Sequence, residues 1–505
     1  MDRTTRPHGG RRWDAACAGA LVAAAFCFLL VFSRYTSPLY PRLYGDDAAY
    51  FMLTGRQVLH GAVPYLDFFD VKGPFLFFIQ AWGQGIGGRS GIFVVQFLFF
   101  SATVLLLFAL ARLFVHRQAA VTAVALAMAL LTATFEGGNL TEEFSLPFVI
   151  LPLLLACRVL KAGGSHPPLY GFVYGVCFTL LVLIRATNAA AVCGIFLLFL
   201  ILLLARRQFG ALCKNGAAVL LGMLAAAAPF LLYFGAHGAL REMAYGAFGL
   251  PFLYSQKGVE NRNAGAWSNL LHYLSPACVG LAVGLLYQAK KNRPLGWLLF
   301  AASAVTVVAF LPGNAYLHYY TMTAPLFLLS VVFLTDLCYD ALQKRGEKPR
   351  RPRRSHFALL AFTAVMLCVC VYFYIPIIDG NLTMTINLGQ QQEQIQQTYR
   401  EIREQAAAIP EEQRGQVWGY EVPARWFCIS GIDPCYRYSA YQQYQSTLDP
   451  KIGQAIDGML ASDPPKWIAV RTEKLKFEPV LAQVLRASYT QVSDKQGIQL
   501  FCRNT

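Results

Sequence analysis

Two adjacent carboxylates, Asp46 and Asp47, stand in "RLYGDDAAYF" (Arg42 to Phe51), close behind an apolar run, Cys17 to Phe32, long enough to enter a bilayer. Asp67, Asp70 and Lys72 follow in "YLDFFDVKGP". Further along come Glu142 and Glu143 in "GGNLTEEFSLPF", Arg185 in "RATN", and His318, Tyr319 and Tyr320 in "HYYTMT". A positioned carboxylate can take the proton of a hydroxyl as that hydroxyl attacks. Fixed cations hold a departing phosphate, best where water is partly shut out. Each of these residues also has an ordinary use. A long loop needs solvating charges; a glutamate in the first turn of a helix serves the macrodipole, and Thr141 can cap. Arg185 can snorkel, and His318 can be a polar group at an interface. Acids and bases gathered at one membrane depth more often mark a site.

The elements that would carry them are membrane helices. Of the 505 residues, 56% are hydrophobic and 14% charged, and several apolar runs reach the roughly 18 residues of a spanning helix. The net charge of +15 sits in short connectors between those runs, the positive-inside pattern, and no groove-reading or zinc-finger motif accompanies it. Nucleic acid is thereby excluded as a partner. Eleven spans are expected, at about 14–33, 91–115, 118–135, 144–160, 168–184, 187–205, 216–235, 267–288, 295–311, 317–338 and 357–378. The first follows the basic flank "MDRTTRPHGGRRW" without an A-x-A cleavage site, so it reads as a retained signal-anchor with a cytoplasmic N-terminus. Cytoplasmic connectors then carry Arg112 and Arg117; Arg158 and Lys161; Arg206, Arg207 and Lys214; Lys290, Lys291 and Arg293; and the strongest run, "KRGEKPRRPRR", Lys344 to Arg354. "RATN" becomes the tip of a tight outer hairpin, and an odd number of crossings puts the C-terminus outside.

The outer side holds a long loop, 34–90, a medium loop, 236–266, and a polar tail from 379. The domain division expected is 1–378 for the membrane domain and 379–505 for an extracytoplasmic domain. In the long loop, Phe75 to Trp82 is too short to span and is expected along the interface, anchored by Trp82. The tail opens on a polar, helix-favouring stretch, "GQQQEQIQQTYREIREQAAAIPEEQ", and later holds "QVWGY", "KWIAV" and "QLFCR", each of strand length, so a small α/β domain is expected. Three of the 13 cysteines, Cys428, Cys435 and Cys502, lie in this exported tail, where "CISGIDPC" leaves a Cys428–Cys435 disulfide and two free thiols as open alternatives. The sequons at Asn139 and Asn381 matter only in a eukaryotic lumen.

The runs "GDDAAYF", "GxxPYxDFFDxKGP", "TEEFSLPF" and "HYYTMTAPLFLL" together resemble the bacterial members of the GT-C glycosyltransferases, among them the protein O-mannosyltransferase-like and aminoarabinose-transferase-like groups. The resemblance covers roughly 14–338. It implies a GT-C membrane domain in the bacterial plasma membrane that takes a sugar from a polyprenyl-phosphate carrier and attaches it to a cell-envelope acceptor: a surface glycan, a lipid or a protein. The first acid of the pair, here Asp46, is the base that it implies. The family's acidic pair is often Asp-Glu where this chain has Asp46-Asp47, and the aminoarabinose enzymes carry a glutamate before the lysine where this chain has Val71. Asp67 and Asp70 could stand in for that glutamate as metal ligands, but no metal or other cofactor is predicted as a requirement.

The chemistry agrees with that implication. A phosphate monoester leaves an anomeric carbon readily once its charge is held, so the scarce element is a nucleophile, and one carboxylate such as Asp46 supplies it by taking the acceptor proton. Lys72, with Arg185 and His318, would hold the lipid phosphate. One base opposite the leaving group implies inversion; a carboxylate nucleophile would imply retention. The competing class is a polytopic transporter or flippase, whose site belongs near the midplane between repeated halves. Charges collected outside, a long outer loop and no matching half favour the enzyme.

Overall fold

The computed structural model describes residues 9–40, 44–163, 166–260, 263–312, 314–343, 354–476 and 478–504. The basic run Lys344 to Arg354 therefore lies outside the described residues except for its last member, as do Arg42 and the first part of the N-terminal flank. The chain divides into two compact units. One holds the residues through Ser33 with Val94–Pro229 and Gly258–Thr385; the other holds Arg34–Phe93, Phe230–Lys257 and Ile386–Thr505.

The first unit is helical. Among the described residues of the whole chain, nine helices are long and apolar enough to cross a membrane, and the pair Gly265–Tyr273 and Ser275–Lys290, bent by 49°, makes a tenth. Pro168–Val182 is apolar but has only 15 residues. Each of the eleven expected spans coincides with one of these elements. The hairpin at "RATN" is a 3-10 turn, Ala186–Ala189, between Pro168–Val182 and Ala190–Ala205.

Polar contacts in this unit sort the connectors into two groups, as the alternation of basic and basic-poor connectors requires. Asp14 pairs with Arg117 at 3.2 Å and Arg112 at 3.4 Å, Lys161 donates to the Leu113 carbonyl, and Tyr339 reaches His116 at 3.0 Å. Lys291 bridges Asp336 and Asp340 at 2.8 Å each, and His166 meets Asn215 at 3.0 Å. All of these flank connectors expected in the cytoplasm. The other connectors meet one another: Ser33 donates to Gln96 at 3.2 Å, and the Asn381 amide donates to the carbonyls of Thr132 and Ala133 at 3.0 Å.

The second unit is built from the long loop, the medium loop and the tail. Its tail carries a four-stranded sheet of order β1-β2-β4-β3: β1 (Val417–Tyr420) runs parallel to β2 (Trp467–Arg471), and β4 (Ile498–Arg503) lies antiparallel between β2 and β3 (Tyr489–Lys495). The helix Gln392–Ala407 precedes it, on the polar stretch expected to be helical. Trp418, Ile468, Val470 and Phe501 from the sheet, with Leu481 and Leu485 from Pro479–Ser488, enclose a core that also buries Phe69 of the long loop and Leu250 of the medium loop. About 25 cal/mol per Å² of apolar area favours this burial, so loop and tail stabilise one another.

Phe75 to Trp82, expected in the long loop, is helical. It belongs to Pro74–Arg112, two helices joined at Gly87 and Gly88, whose non-helical backbone (φ 172° and 60°) breaks the rod. Leu76, Phe77, Ile79 and Gln80 are buried, and only Trp82 is exposed. Cys428 and Cys435 are free thiols; Cys428 donates to the Ala49 carbonyl at 3.3 Å. Burial pushes the Cys428 thiol up to about 12.

Candidate functional site

The residues singled out in the sequence fall into both units. In the first, Thr141–Ala162 begins after the N-cap residue Leu140, so Thr141 is not the cap. The two glutamates that open this helix have different partners. Glu143 accepts from the Leu140 N–H at 3.0 Å and from Gln96 at 2.7 Å, which is capping work. Glu142, buried, accepts from Arg185 Nη1 at 2.9 Å. The Arg185 guanidinium lies 3.3 Å over the Tyr319 ring, and His318 packs edge-on against that ring at 4.6 Å. His318 Nδ1 in turn contacts Glu136 Oε2 at 2.5 Å. Tyr320 is buried and packs on Phe310 and Tyr273. Glu142, Arg185, His318 and Tyr319 are thus one cluster, with Glu143 turned to a structural task and Tyr320 to packing.

In the second unit, the helix Asp46–Leu59 starts at the acidic pair, where the positive end of the macrodipole favours carboxylates. The two differ in surroundings. Asp46 is exposed, and no hydrogen bond or ion pair reaches its carboxylate among the described residues. Asp47 is half-buried and accepts from the Tyr441 hydroxyl at 3.3 Å. Tyr50, one turn on, donates to the Phe69 carbonyl at 2.8 Å and fixes the helix against the "DFFDVK" turn.

That turn holds Asp70 and Lys72. Asp70 Oδ1 accepts from the Val71 N–H at 2.6 Å, while Oδ2 is buried without a hydrogen-bond partner among the described residues. Burial pushes the carboxyl up to about 6, opposed by Lys72 and the Val71 N–H and reinforced by the charge of Asp47. The Lys72 ammonium lies 6.0 Å from the centre of the Phe51 ring and has no salt bridge among the described residues. Tyr65, in the left-handed region at φ 69°, donates to the Lys72 carbonyl at 2.6 Å. Only glycine fits opposite: a Cβ on Gly246 would stand 2.5 Å from the Tyr65 ring and 3.0 Å from the Asp70 carbonyl. The medium loop thereby braces the segment that presents Lys72.

Asp67 has another place. It accepts from the Val63 N–H at 2.6 Å and lines a cavity of about 270 Å³ with His60, Asp433 and Arg437. A divalent metal at the position raised by the sequence resemblance does not fit these residues. Asp67 closes a turn, Asp70 is held by its neighbour's N–H, and no group of three or more His, Cys, Asp or Glu side chains suited to a metal occurs among the described residues.

Sequence reasoning missed Glu136, Tyr50, Gly246 and Tyr441. Glu136 carried one signal, its place before the glycine pair of "FEGGNL", where it takes φ 44°. Tyr441 carried none, since it is 394 residues from its partner.

No protein-family model and no curated protein matches the chain. Solved structures do match. ArnT from Cupriavidus metallidurans bound to undecaprenyl phosphate superposes with a TM-score of 0.60 at 12% identity, over 96% of this chain and 97% of that one. The apo state of the same protein gives 0.58 at 12% identity, over 98% of each chain. At such identity the likeness is one of fold: this chain shares the fold of ArnT over nearly its whole length.

Proposed function

We propose that this chain is a multi-pass membrane glycosyltransferase that moves a sugar from a polyprenyl-phosphate carrier to a hydroxyl of an extracytoplasmic acceptor in the cell envelope. The observation that carries the reading is the fold shared, over nearly the whole chain, with a protein crystallised with undecaprenyl phosphate. The local chemistry supports it. Asp46 offers an exposed carboxylate that takes the acceptor proton as the hydroxyl attacks the anomeric carbon. The bond from that carbon to the phosphate oxygen breaks, and polyprenyl phosphate leaves with its charge held by cations. Lys72, which has no salt bridge among the described residues, is suited to that role. Attack opposite the leaving group gives inversion.

The grouping of connectors supports a cytoplasmic N-terminus, with the long loop, the medium loop and the tail from 379 facing outward in a bacterial plasma membrane. Two measurements test the proposal. Mass spectrometry of surface glycans and polyprenyl-phosphate sugars, comparing a deletion strain with its parent, should find one donor accumulating as one envelope component loses a sugar. Purified protein in lipid, given that donor and membrane extract, should transfer the sugar, and Asp46→Asn should lower the rate about 10²- to 10⁴-fold. Unchanged donors and surface components in the deletion strain would refute the reading.

A further inference from the structure

The two acids of the pair are not equivalent, and the tail is what makes them differ. Tyr441 has φ 54° and ψ 32°, a left-handed backbone that a bulky residue adopts only when its surroundings impose it. The next residue imposes it here. Gln442, fully buried, donates from Nε2 to the carbonyls of Gly419 at 2.5 Å and Tyr438 at 3.1 Å, and its Oε1 accepts from the Glu421 N–H at 2.9 Å. Glu421 in turn accepts from the Gln443 N–H at 2.8 Å. This lock ties the segment to the end of β1 and leaves the Tyr441 ring edge-on to Tyr50, with centroids 6.3 Å apart and the hydroxyl on Asp47. The residue is 43% exposed, so burial of apolar surface is not what holds it there.

We propose that Tyr441 is a positioning residue that assigns the roles of the two carboxylates: by donating to Asp47 it keeps that acid engaged and leaves Asp46 as the base that meets the acceptor hydroxyl. The inference rests on the transferase reading above. Partial burial, and then the charges of Asp47, Asp46 and Asp70, push the Tyr441 phenol up, so the hydroxyl keeps its proton and acts toward Asp47 as a donor. The proton of the acceptor hydroxyl passes to Asp46, the acceptor oxygen bonds the anomeric carbon, and polyprenyl phosphate departs. Tyr441 gains and loses nothing in the step. The tail, which supplies no acid or base to this step, thereby decides which acid reacts.

The test is a gain of function, which a merely structural role cannot produce. Transfer is measured with purified protein in lipid, a polyprenyl-phosphate sugar of the kind accumulating in the deletion strain, and membrane extract as acceptor. Asp46→Asn should be slowed about 10²- to 10⁴-fold. Adding Tyr441→Phe to it, which keeps the ring and removes the donor, should release Asp47 to act and recover about tenfold or more. Adding Asp47→Asn as well should abolish the recovery. If Asp46→Asn is slow and the double variant is no faster, Tyr441 does not assign the roles, while the transferase reading stands. A recovery that persists without Asp47 also overturns the inference. If Asp46→Asn transfers at the parent rate, the assignment of Asp46 fails and the inference fails with it; if the parent protein transfers nothing, both readings fall.

Discussion

The guanidinium of Arg185 donates to Oε1 of Glu142 at 2.9 Å, and the glutamate side chain is 1% exposed. Two charges removed from water in this way cost several kcal/mol each, and their attraction offsets the cost only while both are present. Glu142→Ala or Arg185→Ala alone should therefore destabilise the membrane unit by about 3–5 kcal/mol, the usual cost of leaving one buried partner behind. The double variant Glu142→Ala with Arg185→Ala should lose less than the sum of the two single variants. Thermal unfolding of the four proteins in one lipid composition checks this, and strictly additive losses would mean that the pair is not coupled.

Asp70 makes stability depend on pH. Its carboxyl is raised to about 6 by burial, above the ordinary value of 3.8, so the folded form binds the proton more tightly than the unfolded one. A carboxyl raised in this way contributes most at low pH, and its contribution declines as pH rises from about 4 through about 6. The loss across that window is at most about 3 kcal/mol, from roughly 1.4 kcal/mol per pH unit. Unfolding midpoints of the parent should accordingly fall more between pH 4 and pH 7 than those of Asp70→Asn. Parallel profiles would show that Asp70 is not the group responsible.

What the sequence disclosed follows from what each element needs. Apolar runs announce spanning helices because the bilayer demands them, and three strands were legible because "QVWGY" and "KWIAV" bury most of their residues and "QLFCR" buries Leu500 and Phe501. The remaining strand, Tyr489–Lys495, was not, since as an edge strand it keeps most of its side chains at the surface and lacks the apolar signature. The joint at Gly87 and Gly88, through which Phe75 to Trp82 runs on into the following span, was not legible, because two glycines fit a loop as well as a break between helices. In the candidate site the acids and cations were legible by type. Their division of labour was not: that Glu143 caps while Glu142 pairs, or that Asp47 is engaged while Asp46 has no partner among the described residues, depends on Gln96, Arg185 and Tyr441, all remote in the chain.

Arg56 fastens the tail to the long loop within their unit. Its guanidinium donates to Asp433 Oδ1 at 2.9 Å and to the carbonyls of Phe427 and Ile432 at 3.1 and 2.7 Å, and His60 adds a 2.5 Å contact with Asp433 Oδ2. Three donations from a planar fork fix one geometry, which a lysine cannot reproduce. Arg56→Ala, and Arg56→Lys to nearly the same degree, should free the segment around Ser430 to Asp433 and speed its cleavage in limited proteolysis by several-fold. An unchanged cleavage rate would show that the core shared by Phe69 and Trp418 is enough to hold the tail.

On the proposed reading, Lys72→Met and Asp46→Asn differ in how they divide between binding and chemistry. The Lys72 ammonium is presented by a turn pinned through Tyr65 and Gly246, and among the described residues it meets no salt-bridge partner except by long-range attraction to Asp70. A cation that holds the phosphate of the bound donor, and holds it more strongly as the dianion forms, acts in both the ground state and the transition state. Lys72→Met keeps most of the stem and removes the charge, so it should weaken donor binding and lower the turnover rate as well. Asp46→Asn should lower turnover with little change in donor binding, because the base acts on the acceptor. A charge-assisted hydrogen bond contributes about 1.5–3 kcal/mol, which corresponds to roughly 10- to 150-fold, divided in Lys72→Met between the two constants. Equilibrium binding of a polyprenyl-phosphate probe to each variant, set beside single-turnover rates, measures the division. Lys72→Met that binds the probe as the parent does would remove the lysine from the phosphate and leave that work to other cations of the chain.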